Sequence, residues 1–226
     1  NVFHNLIGIA SDGISPLGNT RQGVVLGQYG TSYWGHAPNN FIQQNTIAYN
    51  GMAGVMVYEH LNDATNCDGN LISQNSIYSN GFLGIDLDDD GITLNDAFDQ
   101  DNRANEDLNF PIIVSASTCG LNTLITGTVS TPSPFNVIVE VFIALPHPSN
   151  YGEGMVFVGN TTVGPGGNWN LTTTGISPLD FLTATVTDLA NNTSEFSSNY
   201  QVPQPLTISA TLGNVSCKGK SDGWID

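Results

Sequence analysis

The chain has 226 residues, with 20 acidic side chains against 4 basic ones and a formal net charge of −16. That surface repels phosphate backbones and anionic membranes, which excludes nucleic-acid binding. No apolar run is long enough to span a bilayer, so no membrane insertion is expected. The excess of carboxylates fits an extracellular or cell-surface protein bathed in calcium, and solubility through self-repulsion accounts for it equally well.

Residues 1–39 read as a degenerate coil and a half, in which Asn5-Leu-Ile-Gly8 and Gly18-Asn-Thr20 punctuate short strands. Gln22-Gly-Val-Val-Leu26 then matches Ala53-Gly-Val-Met-Val57. The pattern becomes explicit from Asn40. Asn40-Phe-Ile-Gln-Gln-Asn45-Thr-Ile-Ala-Tyr-Asn50-Gly-Met-Ala-Gly54-Val-Met-Val returns thirty residues on as Asn70-Leu-Ile-Ser-Gln-Asn75-Ser-Ile-Tyr-Ser-Asn80-Gly-Phe-Leu-Gly84-Ile-Asp-Leu. Ile42, Ile47, Val55 and Val57 align with Ile72, Ile77, Ile85 and Leu87.

A fixed period in this range means stacked units that cannot bury their apolar faces alone. Three short strands and three turns per period, with no helical periodicity, predict a right-handed parallel β-helix over 1–91; a leucine-rich horseshoe lacks its leucine-dense consensus here. Coils about 4.8 Å apart would stack Asn45 on Asn75 and Asn50 on Asn80 as amide ladders. A bare first coil would expose strand edges, so further coils or a cap are expected before Asn1.

Excursions of similar length leave the repeat between Gly27 and Pro38 and between Tyr58 and Gly69. Stacking predicts that they lie side by side. Tyr33, Trp34, Tyr58, Glu59 and His60 form a candidate glycan-binding patch, because ring faces suit pyranose C–H faces while polar groups read hydroxyls. Shielding of the helix edge is the plainer role for the same rings. His36 and His60 lack the spacing of a metal site.

An acidic junction over 92–109 follows, continuing a run that begins at Asp86. Asp86-Leu-Asp88-Asp-Asp90-Gly91 has the alternating oxygen spacing of the first half of a calcium loop, but the twelfth position is Ala97, not glutamate. Asp96, Asp99 and Asp101 would have to close the shell. Asp86, Asp88, Asp90, Asp96, Asp99 and Asp101 are therefore the candidate ligands of a structural Ca²⁺, against the alternative of a hydrated acidic linker. Arg103 in their midst is expected to form a salt bridge.

Seven strand-like runs over 110–202 predict an antiparallel immunoglobulin-like β-sandwich: 112–118, 123–130, 137–144, 155–162, 169–174, 181–188 and 195–202. The usual disulfide and core tryptophan of that fold are not evident. Cys67 and Cys119 could pair across the junction, but no spacing shows it. Residues 203–226 open with Pro203-Gln-Pro205, a stiff linker, and begin another strand-rich unit, so further domains of the same chain are expected on both sides.

Asn80-Gly-Phe-Leu-Gly-Ile-Asp-Leu-Asp-Asp-Asp-Gly-Ile-Thr-Leu-Asn-Asp96 and Asn109-Phe-Pro111 resemble the end of the β-helix in large secreted bacterial right-handed parallel β-helix repeat proteins. Tyr151-Gly-Glu-Gly154 and Thr187-Asp-Leu-Ala-Asn-Asn-Thr-Ser-Glu-Phe-Ser197 resemble the sandwich those proteins carry next. Val215-Ser-Cys217-Lys-Gly-Lys-Ser-Asp222-Gly223 is similar to the start of repeats in giant surface adhesins of gliding Bacteroidota. This chain lacks a cysteine near Pro148 and adds Asp88 and Asp89. The resemblance implies a structural and adhesive module, rod plus spacer, whose partner is a polysaccharide or another cell surface.

The alternative is a polysaccharide lyase or glycoside hydrolase. A lyase needs a basic residue, and Arg21 and Arg103 are the only arginines or lysines before position 218. A hydrolase needs two carboxylates at a fixed separation. Glu59 with Asp63, or Asp86 with Asp88, can be nominated, but no catalytic residue is selected by the sequence.

Overall fold

The computed structural model describes residues 1–27, 35–59, 67–205 and 220–221, and the backbone of 212–213 and 224–225. The chain is all-β. Three successive passes each lay down three short strands. The first gives β1 (Val2–Phe3), β2 (Leu6–Ile7) and β3 (Val24–Leu26); the second gives β4 (Phe41–Gln43), β5 (Thr46–Ala48) and β6 (Val55–Val57). The third gives β7 (Leu71–Ser73), β8 (Ser76–Tyr78) and β9 (Ile85–Leu87). Equivalent strands pair in parallel to form the sheets β1-β4-β7, β2-β5-β8 and β3-β6-β9.

The register follows the repeat in the sequence. Ile42 faces Ile72, Ile47 faces Ile77, and Val55 and Val57 face Ile85 and Leu87. Val24 meets Val55 one pass earlier. The aliphatics of the second and third passes are buried between the sheets and form one core, against which Val24 packs half-buried.

The corner after each first strand turns on a single residue in the left-handed region: His4, Gln44 and Gln74, with φ of 56°, 57° and 54°. A left-handed residue with a side chain costs roughly 1–2 kcal/mol. The asparagine that follows each one offsets that cost with hydrogen bonds along the stack. Asn45 Oδ1 accepts from Asn5 N at 2.9 Å and from Asn5 Nδ2 at 3.1 Å, and Asn75 Oδ1 accepts from Asn45 N at 2.9 Å and from Asn45 Nδ2 at 3.0 Å. A second ladder runs Asn19, Asn50, Asn80 and a third runs Asn40, Asn70. Layers approach so closely at Gly54 that a Cβ there would lie 2.7 Å from Gly84 O.

The second unit is antiparallel. Its strands are β10 (Ile112–Cys119), β11 (Asn122–Thr128), β12 (Ile138–Leu145), β13 (Glu153–Thr162), β14 (Asn168–Thr174), β15 (Phe181–Thr187) and β16 (Tyr200–Gln201). They form two sheets, β10-β11-β14 and β13-β12-β15-β16. Both sheets contribute to one core, which includes Ile125, Val139, Val141, Leu182 and Val186. Trp169 is buried in it, so this unit does have a core tryptophan.

The expected strand over 195–202 shrinks to β16. Upstream of it the chain keeps only scattered backbone bonds to β15, from the amides of Ser194 and Ser197 to Val186 O and Ala184 O, while Glu195 and Phe196 are turned into the parallel unit. Cys67 and Cys119 are both free thiols rather than a pair. Cys67 is buried against Tyr58 O, while Cys119 ends β10 on the surface. Beyond the second unit, β17 (Leu212–Gly213) pairs antiparallel with β18 (Trp224–Ile225). Cys217 lies outside the described residues, among which no helix is long and apolar enough to cross a membrane.

Candidate functional site

The six candidate metal ligands separate into a triad, a pair and a lone aspartate. Asp96, Asp99 and Asp101 converge, with one carboxylate oxygen from each lying within 4.8 Å of the others. Asp96 accepts the Gln100 amide, and Asp99 Oδ1 accepts the Asn109 amide at 2.7 Å. Asn109 ties this loop to the antiparallel unit, donating through Nδ2 to Asp96 O and Ser130 O. Burial lifts the Asp99 carboxyl to about 6, against the pull of the Asn109 amide, and the charges of Asp101, Asp96 and Asp188 add to the rise.

The chemistry of this set suits a hard cation. Carboxylate oxygens no more than 4.8 Å apart fall within the span of one hard cation's oxygen shell, about twice an ion–oxygen distance of 2.3–2.6 Å for calcium. Beside them opens a cleft of about 320 Å³ between the acidic junction and the antiparallel unit. Asp99, Asp101, Glu106 and Asp188 line it together with apolar Leu108 and Val137.

Asp88 and Asp90 have a different partner. Arg103 Nε lies 3.3 Å from Asp88 Oδ2, and its Nη2 lies 3.0 Å from Asp90 Oδ2. Asp107, four residues beyond Arg103, receives Nε at 3.0 Å. The expected salt bridge of Arg103 is thus a four-membered network, with the guanidinium supplying the positive charge for these aspartates. Asp88 also accepts the Glu59 amide at 2.9 Å. Asp86 stands apart in β9, 5% exposed, with Oδ1 unpartnered. Burial raises it to about 7, and Asp89, Asp90 and Asp88 push the same way against the Gly91 amide.

Of the candidate glycan patch, Tyr33, Trp34 and His60 lie outside the described residues, as does Asp63. Tyr58 and Glu59 are half-buried at the root of the second excursion. Glu59 Oε2 accepts the Cys67 amide at 3.2 Å, closing the base of that excursion, and the Tyr58 amide donates to Leu26 O. His36 is exposed at the end of the first excursion. The two excursions are rooted side by side, since the Asn39 amide donates to Asp68 O.

A third group of functional side chains escaped the sequence reading. The last layer would present unpaired strand edges, yet side chains of the antiparallel unit meet them. Glu140 in β12 takes the Ser73 hydroxyl at 2.7 Å and the Gln74 amide at 2.8 Å. Glu153 in β13 takes both Asn80 N and Asn80 Nδ2 at 3.0 Å through one oxygen. Glu195 takes the amides of Leu87 at 3.0 Å and Thr93 at 3.1 Å. All three carboxylates are buried, and burial raises each above the usual glutamate range while the amides they accept work against the rise.

Thr193 Oγ1 receives the Ile72 amide at 3.0 Å, and Asn105 Oδ1 receives the Asn70 amide at 3.0 Å. Phe142 and Phe196, edge to face at 5.5 Å, close the apolar centre. The one available signal was Glu140 itself, an acid between Val139 and Val141 in a strand-like run. No family model matches the chain.

Proposed function

We propose that this chain is a structural and adhesive module of a large secreted or cell-surface bacterial protein. In this reading the parallel unit is a right-handed β-helix serving as a rigid rod, and the antiparallel unit is an immunoglobulin-like sandwich serving as a spacer. Ca²⁺ held by Asp96, Asp99 and Asp101 stiffens the seam, and the loop aromatics around Tyr33, Trp34 and Tyr58 offer polysaccharide a surface.

One observation carries the reading: the two units share buried hydrogen bonds and a common aromatic plug rather than a flexible tether. A hinge between them would leave buried carboxylates and amides without partners, each costing about 1–3 kcal/mol. A module built this way transmits orientation, which suits a stalk.

The experiment is incubation of the chain with a panel of cell-wall and algal polysaccharides, with and without Ca²⁺, scoring retention beside new reducing ends and unsaturated products. Retention without products, lost in the Trp34→Ala/Tyr58→Ala double variant, is the expected result. Products that vanish on replacing Glu59 or Asp86 would make the chain a carbohydrate-active enzyme instead.

A further inference from the structure

Each internal layer of the parallel unit closes the layer before it with an asparagine acceptor. Asn80 Oδ1 takes Asn50 N at 3.1 Å and Asn50 Nδ2 at 2.9 Å. In the last layer the same two donors of Asn80 both meet Glu153 Oε1, at 3.0 Å. The carboxylate oxygen occupies the place in the ladder that the next asparagine oxygen would take. In the third ladder Asn105 does the same, with Oδ1 receiving Asn70 N as Asn70 Oδ1 receives Asn40 N.

The substitution extends to the backbone. β7, β8 and β9 form the final edges of three sheets, and each edge or its adjoining turn meets one glutamate: Glu140 at β7, Glu153 after β8, Glu195 at β9. These acids come from three separate places in the antiparallel unit and share no sequence pattern. A buried carboxylate is expensive unless it is well paired. Placing three of them, each with two donors, at the three edges of one layer needs a reason beyond packing.

We propose that Glu140, Glu153 and Glu195 are side-chain replacements for a further layer of strands, and that the antiparallel unit is thereby the terminal cap that ends the parallel stack and keeps its last edges from recruiting another chain. An open edge of this kind is a template for strand addition. Carboxylates satisfy the donors without offering any of their own, so the pairing ends at them.

The test is native-state hydrogen exchange on the 226-residue chain, read at the amides of Gln74, Asn80, Leu87 and Thr93. Glu153→Ala should speed exchange at Asn80 by roughly tenfold or more with little change at Leu87, and Glu195→Ala should do the reverse, because each acid protects its own edge. Uniform acceleration at all four amides in every variant, or unchanged protection in a folded variant, would overturn the proposal.

Where an alanine variant does not fold, the glutamine variants decide the question. Glu153 serves Asn80 through one oxygen, so Glu153→Gln should keep that amide protected. Glu195 uses both oxygens, so Glu195→Gln should expose either Leu87 or Thr93. Equal protection in the two glutamine variants would count against the assignment.

Discussion

Arg103 Nε and Asp107 Oδ2 are 3.0 Å apart, and the same nitrogen reaches Asp88 Oδ2 at 3.3 Å, so one guanidinium joins the exit of the last layer to the start of the second unit. Asp88 and Asp107 are almost wholly buried, while Arg103 reaches solvent along one edge. Removing the cation leaves two buried like charges side by side. Arg103→Ala should therefore lower unfolding free energy by about 3 kcal/mol in urea titrations. Arg103→Lys should recover only part of the loss, since an ammonium cannot span three carboxylates as a fork does. A loss within about 0.5 kcal/mol would place the network among surface pairs of little consequence.

Acidification should stabilise the protein over part of the pH range. Asp86, raised to about 7 by burial, stays protonated in the fold at pH values where the unfolded chain has already ionised it. The folded state then binds the extra proton, so this contribution is full below about pH 4 and is lost as pH rises through about 7. The slope is about 1.4 kcal/mol per pH unit within that window. Melting temperatures measured from pH 5 to pH 8 under chelator should fall, and Asp86→Asn should flatten the profile. An unaltered slope in that variant would assign the pH effect to other groups.

The asparagine ladders separate buried from exposed rungs. Asn75 Oδ1 accepts two donors from Asn45, and its amide donates to Ile42 O at 2.7 Å. Asn75→Ala orphans several buried groups and should cost about 3 kcal/mol. Gln44 and Gln74 form a similar rung at 3.1 Å on the surface, where water replaces either partner. Gln74→Ala should stay within about 0.5 kcal/mol, a contrast that denaturant melts resolve directly.

These contrasts show what was legible in the residues. The register of the parallel sheets could be read because equivalent positions in a stack see equivalent surroundings, so Ile42 and Ile72, or Asn45 and Asn75, are under the same demand. The closing carboxylates could not be read. Glu153 and Asn80 are 73 residues apart and Glu195 and Leu87 are 108 apart, and each pairing occurs once rather than in a series. In the acidic run, alternate spacing grouped Asp86, Asp88 and Asp90, whereas the fold brings Asp96, Asp99 and Asp101 together and gives Asp88 and Asp90 to Arg103. The sign of the charge was plain in the sequence. Which acids share a counter-ion depended on turns around Asp88, Asp89, Phe98 and Asp99, all left-handed and none a glycine.

Calcium binding at the three converging aspartates should raise the melting temperature in proportion to the logarithm of free ion, with about 2.7 kcal/mol gained at a hundredfold excess over Kd. Asp99→Asn with Asp101→Asn should abolish the rise, while Asp90→Asn should leave it in place. A calcium response that survives the double change would move the ion elsewhere in the junction.

The asparagine ladders also have a direction. Every rung runs the same way, from the amide of one layer to the carbonyl oxygen of the next, so the two ends of the stack differ as the two ends of a filament differ. At the finishing end the ladder donors of Asn80 and Asn70 are taken by Glu153 Oε1 and Asn105 Oδ1. The starting end offers the side-chain oxygens of Asn5 and Asn19, which lie on the surface with their amide hydrogens already committed inward. A group that extends these two ladders must donate hydrogens to those oxygens. Within the ladders, bringing two starting ends together would set side-chain oxygen against side-chain oxygen, so the asparagines by themselves favour head-to-tail stacking.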